Sequence, residues 1–121
     1  MLPPARPSRL RVEQVNGVTV VRFTSSRVLG EGPCQATGKQ LFGLVDDEGR
    51  RKLVLDFTGV ERLDSAMVAK LVWLDKRVKS VGGRLALCHL GPALSEVFQT
   101  LRLHLLLNIY GDEQEALRTF E

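Results

Sequence analysis

The sequence predicts a single α/β domain in which a largely parallel β-sheet of about five strands packs against four helices. Two observations lead to this prediction. Short apolar runs rich in Val and Leu alternate along the chain with longer segments of helical spacing, which is typical of parallel strands joined by helices. In addition, a chain of 121 residues with 44% apolar content is long enough to bury one core without disulfides or metal.

Residues 1–9 differ from the rest of the chain. They contain three prolines and no apolar run, and proline removes backbone donors and favours extended, unpaired conformations. We therefore expect a mobile tail over residues 1–9 and one folded domain over residues 10–121. The tail lacks the hydrophobic segment of a secretory signal, and Cys34 and Cys88 lie far apart without CxxC spacing. These features predict reduced thiols in a cytoplasmic protein.

The first predicted element is a β-hairpin. Residues 11–23 are rich in β-branched side chains, and Asn16-Gly17 separates two such runs. Asn-Gly between two strand-like runs is a strong signal for a type I′ turn. The domain is therefore expected to open with two antiparallel strands.

The first helix is predicted to follow the hairpin and to end by the turn at residues 46–49. Leu41, Leu44 and Val45 fall on one side of a helical projection. Gly38 and Gly43 lie inside this segment, and glycine in a helix interior is unfavourable. We therefore expect a helix whose own propensity is weak.

Residues 53–57 are nearly continuous in apolar character. This composition is typical of a strand that is buried on both faces of a parallel sheet. We expect this strand near the centre of the sheet.

Residues 65–81 form the best-defined predicted helix. Apolar side chains including Val68 and Leu71 recur at helical spacing until Gly82-Gly83 ends the pattern. Trp73 falls out of step with these side chains, and we expect it at the edge of the core because large aromatic side chains are mostly buried.

The remaining elements alternate in the same way. The patterns predict a strand at residues 84–88, a short helix from Gly91-Pro92 to about Leu101, a strand at 105–110 and a helix at 112–120. The predicted order is ββαβαβαβα, with an antiparallel hairpin and parallel strands joined by helices.

Several classes of function are not expected. The seventeen basic residues are scattered, and the densest run, Arg50–Lys52, has no interleaved aromatic residues, so we expect no nucleic-acid binding. The longest apolar stretch, residues 103–109, is far shorter than the roughly 20 residues that span a bilayer, so we expect no membrane association. Neither His89 nor His104 belongs to a nucleophile and base arrangement. We therefore expect no enzyme activity, small-molecule substrate, cofactor or metal.

One segment could carry chemistry. Residues 56–66 run from the buried strand to the start of the long helix and present Asp64 and Ser65 at its N-terminus. Both residue types are preferred N-caps, so capping alone explains them. A helix N-terminus also favours negative charge, and a phosphoryl group on Ser65 would be tolerated there, although Asp64 would repel it.

The segments 56–60, 63–66, 82–85 and 112–117 resemble the STAS domain family of anti-sigma factor antagonists, and the likeness spans roughly residues 10–120. The resemblance implies the STAS fold. It also implies that Ser65, the serine after the aspartate of the D-S-[S/T/A] motif, is phosphorylated by an anti-sigma factor that is also a serine protein kinase.

The resemblance further implies partner switching. The unphosphorylated domain would bind the anti-sigma factor, the phosphorylated domain would release it, and a serine phosphatase would restore the binding form. We predict that the partner contacts Asp64, Ser65 and the residues around them, namely Arg62, Met67 and Val68.

Two alternatives follow from the same residues. Ala66 and Met67 stand where many family members have Ser or Thr and Gly, and this departure motivates a STAS scaffold or subunit without phosphorylation control, in a signalling complex or as a lipid-transport accessory subunit. A response-regulator receiver would use Asp56 as its acceptor. That family also needs an acidic pair after the first strand and a lysine after the last, and both are missing here.

Overall fold

The computed structural model describes residues 10–120, so the predicted tail over residues 1–9 lies outside the described residues. Alternating apolar runs form the strands, and the segments of helical spacing form the helices. In chain order the elements are β1 Leu10–Val15, β2 Val18–Phe23, β3 Arg27–Val28, α1 Glu31–Asp46, β4 Lys52–Asp56, β5 Arg62–Leu63, α2 Ser65–Ser80, β6 Arg84–Cys88, α3 Pro92–Thr100, a 3-10 turn Leu103–Leu105, β7 Asn108–Tyr110 and α4 Glu113–Arg118.

The main sheet has five strands in the order β1-β2-β4-β6-β7. The pairing of β1 with β2 is antiparallel, and the other three pairings are parallel. Each parallel step is made through a helix, as parallel strands require. The predicted α/β class is confirmed, as is the predicted order of the five main-sheet strands and the four helices, and β4 lies at the centre of the sheet.

The hairpin turn has the predicted geometry. Asn16 and Gly17 both have positive φ, 52° and 81°, as a type I′ turn requires. Val15 and Val18 pair directly on either side of the turn. The turn therefore sets the register of β1 against β2.

Two short strands were not predicted. β3 and β5 form a separate two-stranded parallel sheet. Each contributes only two residues, too few to show an alternating pattern. The last predicted strand is also shorter than expected, because Leu103–Leu105 form a 3-10 turn after Arg102 adopts a left-handed conformation with φ 58°.

The core lies on both faces of the sheet. On one face α1, α2 and α3 pack against β-strand residues including Leu53 and Leu55. On the other face α4, through Ala116, packs against residues including Val54. Successive side chains of a strand point to opposite faces, so the continuous apolar run of β4 supplies both clusters.

Gly38 allows α1 and α2 to approach closely. A Cβ atom at this position would lie 2.6 Å from Cδ of Lys70, a distance that real side chains do not tolerate. The aliphatic stem of Lys70 therefore occupies the space that the glycine leaves. A larger residue at position 38 would require this flexible side chain to move.

A cluster of charges ties the sheet to α4. Asp56 is almost fully buried at the end of β4 and forms an ion pair with Arg22 of β2. The same guanidinium lies 2.7 Å from Glu113 of α4 and 3.5 Å from Glu13 of β1. These carboxylates raise the pKa of Arg22, with Glu113 the largest cause, so the cation that neutralises the buried Asp56 stays charged.

We expect Gly83→Ala to destabilise the domain. A Cβ atom at this position would lie 2.3 Å from the carbonyl oxygen of Arg51 and 2.8 Å from Cγ1 of Val78, so the backbone must shift. Overpacking of this kind costs about 1–3 kcal/mol, which urea denaturation would measure as a lower free energy of unfolding.

The matched control is Gly43→Ala in α1. A Cβ atom there meets only Asp47 Oδ2, at an ordinary 3.5 Å. Alanine is favoured over glycine in a helix by roughly 0.5–1 kcal/mol, so this variant should be as stable as the wild type or more so. Equal effects of the two substitutions would show that the close approach at Gly83 is unimportant.

Candidate functional site

Ser65 is the first residue of α2 and its side chain is exposed. The loop that leads to Ser65 is held by two buried side chains of the core. Phe57 is fully buried, stacks on Phe23 with ring centroids 4.6 Å apart, and accepts a hydrogen bond from the backbone N–H of Val60, which is also buried. The loop therefore delivers the Ser65 hydroxyl to a defined point on the surface.

Asp64 connects the N-termini of two helices. Its Oδ1 accepts from the backbone N–H of Ala66 at 3.4 Å, which caps α2. Its Oδ2 accepts from the backbone N–H of Gly30, the residue before α1, at 2.9 Å. Gly30 has φ 88° and ψ 157°, a conformation that is open essentially to glycine alone. The predicted capping role of Asp64 is therefore present, and it extends to α1.

These N–H groups stabilise the charged form of Asp64. The hydrogen bond from Gly30 is the largest cause of a lowered pKa of Asp64, followed by that from Ala66. The carboxylate is therefore ionised at neutral pH. The Ser65 Oγ lies 3.4 Å from Asp64 Oδ1, so any group added to the serine would lie next to a negative charge.

The small second sheet holds the loop in place. The backbone N–H groups of Glu61 and Arg62 both donate to the carbonyl oxygen of Ser26, at 2.7 Å and 3.2 Å. The backbone N–H of Asp64 donates to the carbonyl oxygen of Val28 at 2.8 Å. The position of Ser65 thus depends on β3, an element that the sequence pattern does not reveal.

The five residues predicted to meet a partner are placed differently. Arg62 and Ser65 are exposed, and Asp64 is half-buried. Val68 is buried but lines a groove beside them. Met67 is 0% exposed, because it lies on the side of α2 that packs into the core. Its predicted contact with a partner is therefore corrected to a packing role.

An apolar groove borders the serine. It has a volume of about 590 Å³ and lies between the start of α2 and α3. The groove is lined by Leu29, Leu63, Asp64, Val68, Leu94 and Val97, among others. A protein segment with apolar side chains could occupy it next to Ser65.

The prediction that Trp73 lies at the edge of the core is wrong. Its side chain is 63% exposed, because the core side of α2 is formed by Met67, Leu71 and Leu74 and Trp73 points away from them. The ammonium of Lys76 lies 5.2 Å from the centroid of the indole ring. The missed signal is its spacing from Ser65, since eight residues place both on the outer side of the helix.

A possible metal cluster lies elsewhere. Potential ligand atoms of Asp56, Cys88 and His89 are within 4.8 Å of one another. Asp56 is already engaged, since one oxygen pairs with Arg22 and the other accepts two hydrogen bonds from Thr58. Burial raises the pKa of Cys88 to about 12, so its thiol is protonated at neutral pH. This arrangement stabilises the fold and does not suit a cation.

Within residues 10–120, none of the helices has both the length and the apolar character that crossing a membrane requires.

A family model and a relative of known description both match this chain over most of its length. The family model for the STAS domain matches residues 9–116. A Bordetella bronchiseptica protein, BtrV, described as a candidate anti-sigma factor antagonist, is 28% identical over 113 residues, which cover 93% of this chain and 95% of that protein.

Solved structures show the same fold. An anti-sigma factor antagonist (STAS) domain protein from Planctomyces limnophilus superposes with a TM-score of 0.77 at 28% identity and covers 91% of this chain and 96% of that one. The Bacillus cell fate determinant SpoIIAA in its phosphorylated form gives a TM-score of 0.70 at 18% identity and covers 93% and 99% of the two chains. The predicted STAS fold is confirmed.

We expect the stabilising effect of the Asp64 charge to depend on pH. Asn can still cap a helix, so Asp64→Asn removes the charge alone. Because the folded pKa is lowered from 3.8, the extra stability of the wild type is fully present above that value and is lost as the pH falls through the lowered pKa. Urea denaturation at several pH values would measure the difference between the two proteins.

Asp47→Asn is the control for this measurement, because Asp47 is exposed and lies at the C-terminal end of α1. It should show no loss of stability at neutral pH. A difference between Asp64→Asn and wild type that stays constant across the acidic range would contradict the charged hydrogen bonds to Gly30 and Ala66.

We also expect both cysteines to resist thiol reagents in the folded protein. Cys34 and Cys88 are buried, and burial is the first cause of the raised pKa of each thiol, so little reactive thiolate forms at neutral pH. Labelling with a disulfide reagent should proceed only after denaturation. Rapid labelling of native Cys34 would instead show that the start of α1 opens readily.

Proposed function

The chain belongs to the STAS domain family, and on that premise we propose that it is an anti-sigma factor antagonist that works by partner switching. The unphosphorylated form binds an anti-sigma factor that is also a serine protein kinase. Phosphorylation of Ser65 releases this partner, and a serine phosphatase restores the binding form. The protein acts in the cytoplasm by binding and not by catalysis.

The observation that carries the proposal is the exposed hydroxyl of Ser65 at the N-terminus of α2 beside the apolar groove. A kinase can reach a side chain in this position without unfolding the domain. The groove is lined by Asp64, the residue before Ser65, and by Val68 one turn later, so a protein bound there would lie close to the modified residue. A single residue can therefore control a single interface.

The charges around Ser65 explain why phosphate would act as a release signal. A phosphoserine carries about two negative charges at neutral pH. It would lie next to Asp64, which is already ionised, and the helix dipole would offset only part of this charge. A partner that excludes water from the interface would have to desolvate both anions, which is strongly unfavourable.

The departures from the family motif are compatible with phosphorylation. Met67 is buried, so it does not shield the Ser65 hydroxyl from a kinase. Ala66 leaves Ser65 as the single hydroxyl in the Asp64–Met67 segment. The contact surface that we propose accordingly contains Arg62, Asp64, Ser65 and Val68, without Met67.

Relatives support this assignment. BtrV is described as a candidate anti-sigma factor antagonist, and SpoIIAA has been solved in a phosphorylated form, so the fold can carry a phosphoryl group. The competing function is a STAS scaffold or accessory subunit without phosphorylation control. The two functions differ in one measurable property, the modification of Ser65.

We expect protein recovered from its native cells to carry a Ser65-dependent mass increase of about 80 Da, one phosphoryl group. Intact-mass and phosphosite analysis of the wild type and of Ser65→Ala would measure it. Ser80→Ala is the matched control, since Ser80 is an exposed serine at the other end of α2, and it should keep the modification. Absence of phosphate on Ser65 under several growth conditions would favour the scaffold function.

A further inference from the structure

This inference rests on the proposed function and names the surface and the chemistry of the partner. We propose that the anti-sigma factor docks on the outward face of α2, with Trp73 as its anchor. We define the outward face as Ser65, Ala69, Trp73 and Lys76. The partner that fits it presents an acidic surface with an apolar pocket for the indole ring.

The four residues share one side of the helix. Their spacings of four, four and three residues follow the helical repeat, and all four side chains are exposed. Ala69 is small, so a partner can approach the helix closely between Ser65 and Trp73. The outward face therefore joins the phosphorylation site to a large aromatic side chain on one rigid element.

Trp73 has the properties of an interface anchor. Tryptophan is enriched among the few residues that dominate protein–protein binding energies, and here most of the ring is exposed to water. Lys76 lies over the ring, so the indole presents one side to a partner. Burial of this ring against an apolar pocket would contribute strongly to affinity.

The charge of α2 indicates an acidic partner. Asp75 is the single acidic residue of the helix and is 1% exposed. Arg77 pairs with Asp46 at 2.7 Å, and Lys79 lies 2.8 Å from Asp75. Within residues 10–120, Lys76 of the outward face has no carboxylate within 4.0 Å, which leaves its charge available to pair with a partner.

A single unpaired cation on the outward face favours a protein over a nucleic acid. Binding to a phosphate backbone normally uses several cations at once, and Trp73 has no second aromatic residue beside it on α2 for base stacking. A protein surface with a few carboxylates around an apolar pocket matches the outward face better.

The anchor and the switch can be separated experimentally. Trp73 lies eight residues from Ser65, about 12 Å along the helix axis, which exceeds the distance of about 8 Å over which salt screens exposed charges. Loss of the indole should therefore weaken binding without removing the effect of phosphate. The two effects should be close to additive.

The first experiment identifies the occupant. Ala69 and Lys76 are each replaced with p-benzoylphenylalanine in the native cells, and cross-linked products are isolated after irradiation. Lys52 provides the control position, because it lies on the sheet face covered by α4, the same face as Val54. We expect one acidic protein to be captured at positions 69 and 76 and not at position 52.

The second experiment measures the binding of that protein after purification, by calorimetry. Trp73→Ala should weaken binding roughly 10-fold or more, Trp73→Phe should restore part of the loss, and Lys76→Glu should weaken binding most at low salt. Lys52→Glu should bind as the wild type does. Trp73, Lys76 and Lys52 are all exposed. The urea midpoint of each variant should therefore match that of the wild type.

The outcomes distinguish the two proposals. Wild-type affinity of Trp73→Ala for the captured protein overturns the docking surface. Capture of a second copy of this chain, of nucleic acid or lipid, or of nothing at all also overturns it. Loss of affinity in Trp73→Ala combined with unchanged affinity of Ser65→Glu supports the docking surface and contradicts the phosphorylation switch.

Discussion

The burial of β4 on both faces is the constraint on which the rest of the structure depends. Because Leu53 and Leu55 face one helix layer and Val54 faces α4, the strand must lie between β2 and β6. Its last residue, Asp56, is then forced into a dry environment, and Arg22 becomes necessary as its counter-charge. The position of the functional loop follows from this, since the loop begins where β4 ends.

Asp64 holds the surface loop in a fixed position relative to the core helices. A carboxylate that accepts N–H groups from the starts of α1 and α2 fixes both helices relative to one exposed serine. The backbone pairing of β3 with β5 adds a second restraint. Ser65 is therefore presented in a defined position even though it is exposed.

The sequence predicts the elements that repeat a pattern and misses those that depend on distant contacts. Strand β4, helix α2 and the place of Ser65 follow from apolar spacing and from the cap and stop residues. The exposure of Trp73 does not follow from the apolar spacing of Val68 and Leu71 alone. The core side of α2 continues through Leu74, and this places Trp73 on the opposite side. The two-residue strands exist through long-range pairing alone, and the value of Gly38 depends on Lys70 of another helix.

The guanidinium of Arg22 brings together β1 and α4, the first and last elements of the described chain, through Glu13 and Glu113. The ends of the described chain nevertheless lie at opposite ends of the sheet, because Leu10 pairs with Phe23 at the end of β2, whereas Phe120 lies beside Arg84 at the start of β6. A module fused after α4 would therefore extend away from the functional loop. A module fused before β1 would emerge at the same end of the sheet as Ser65.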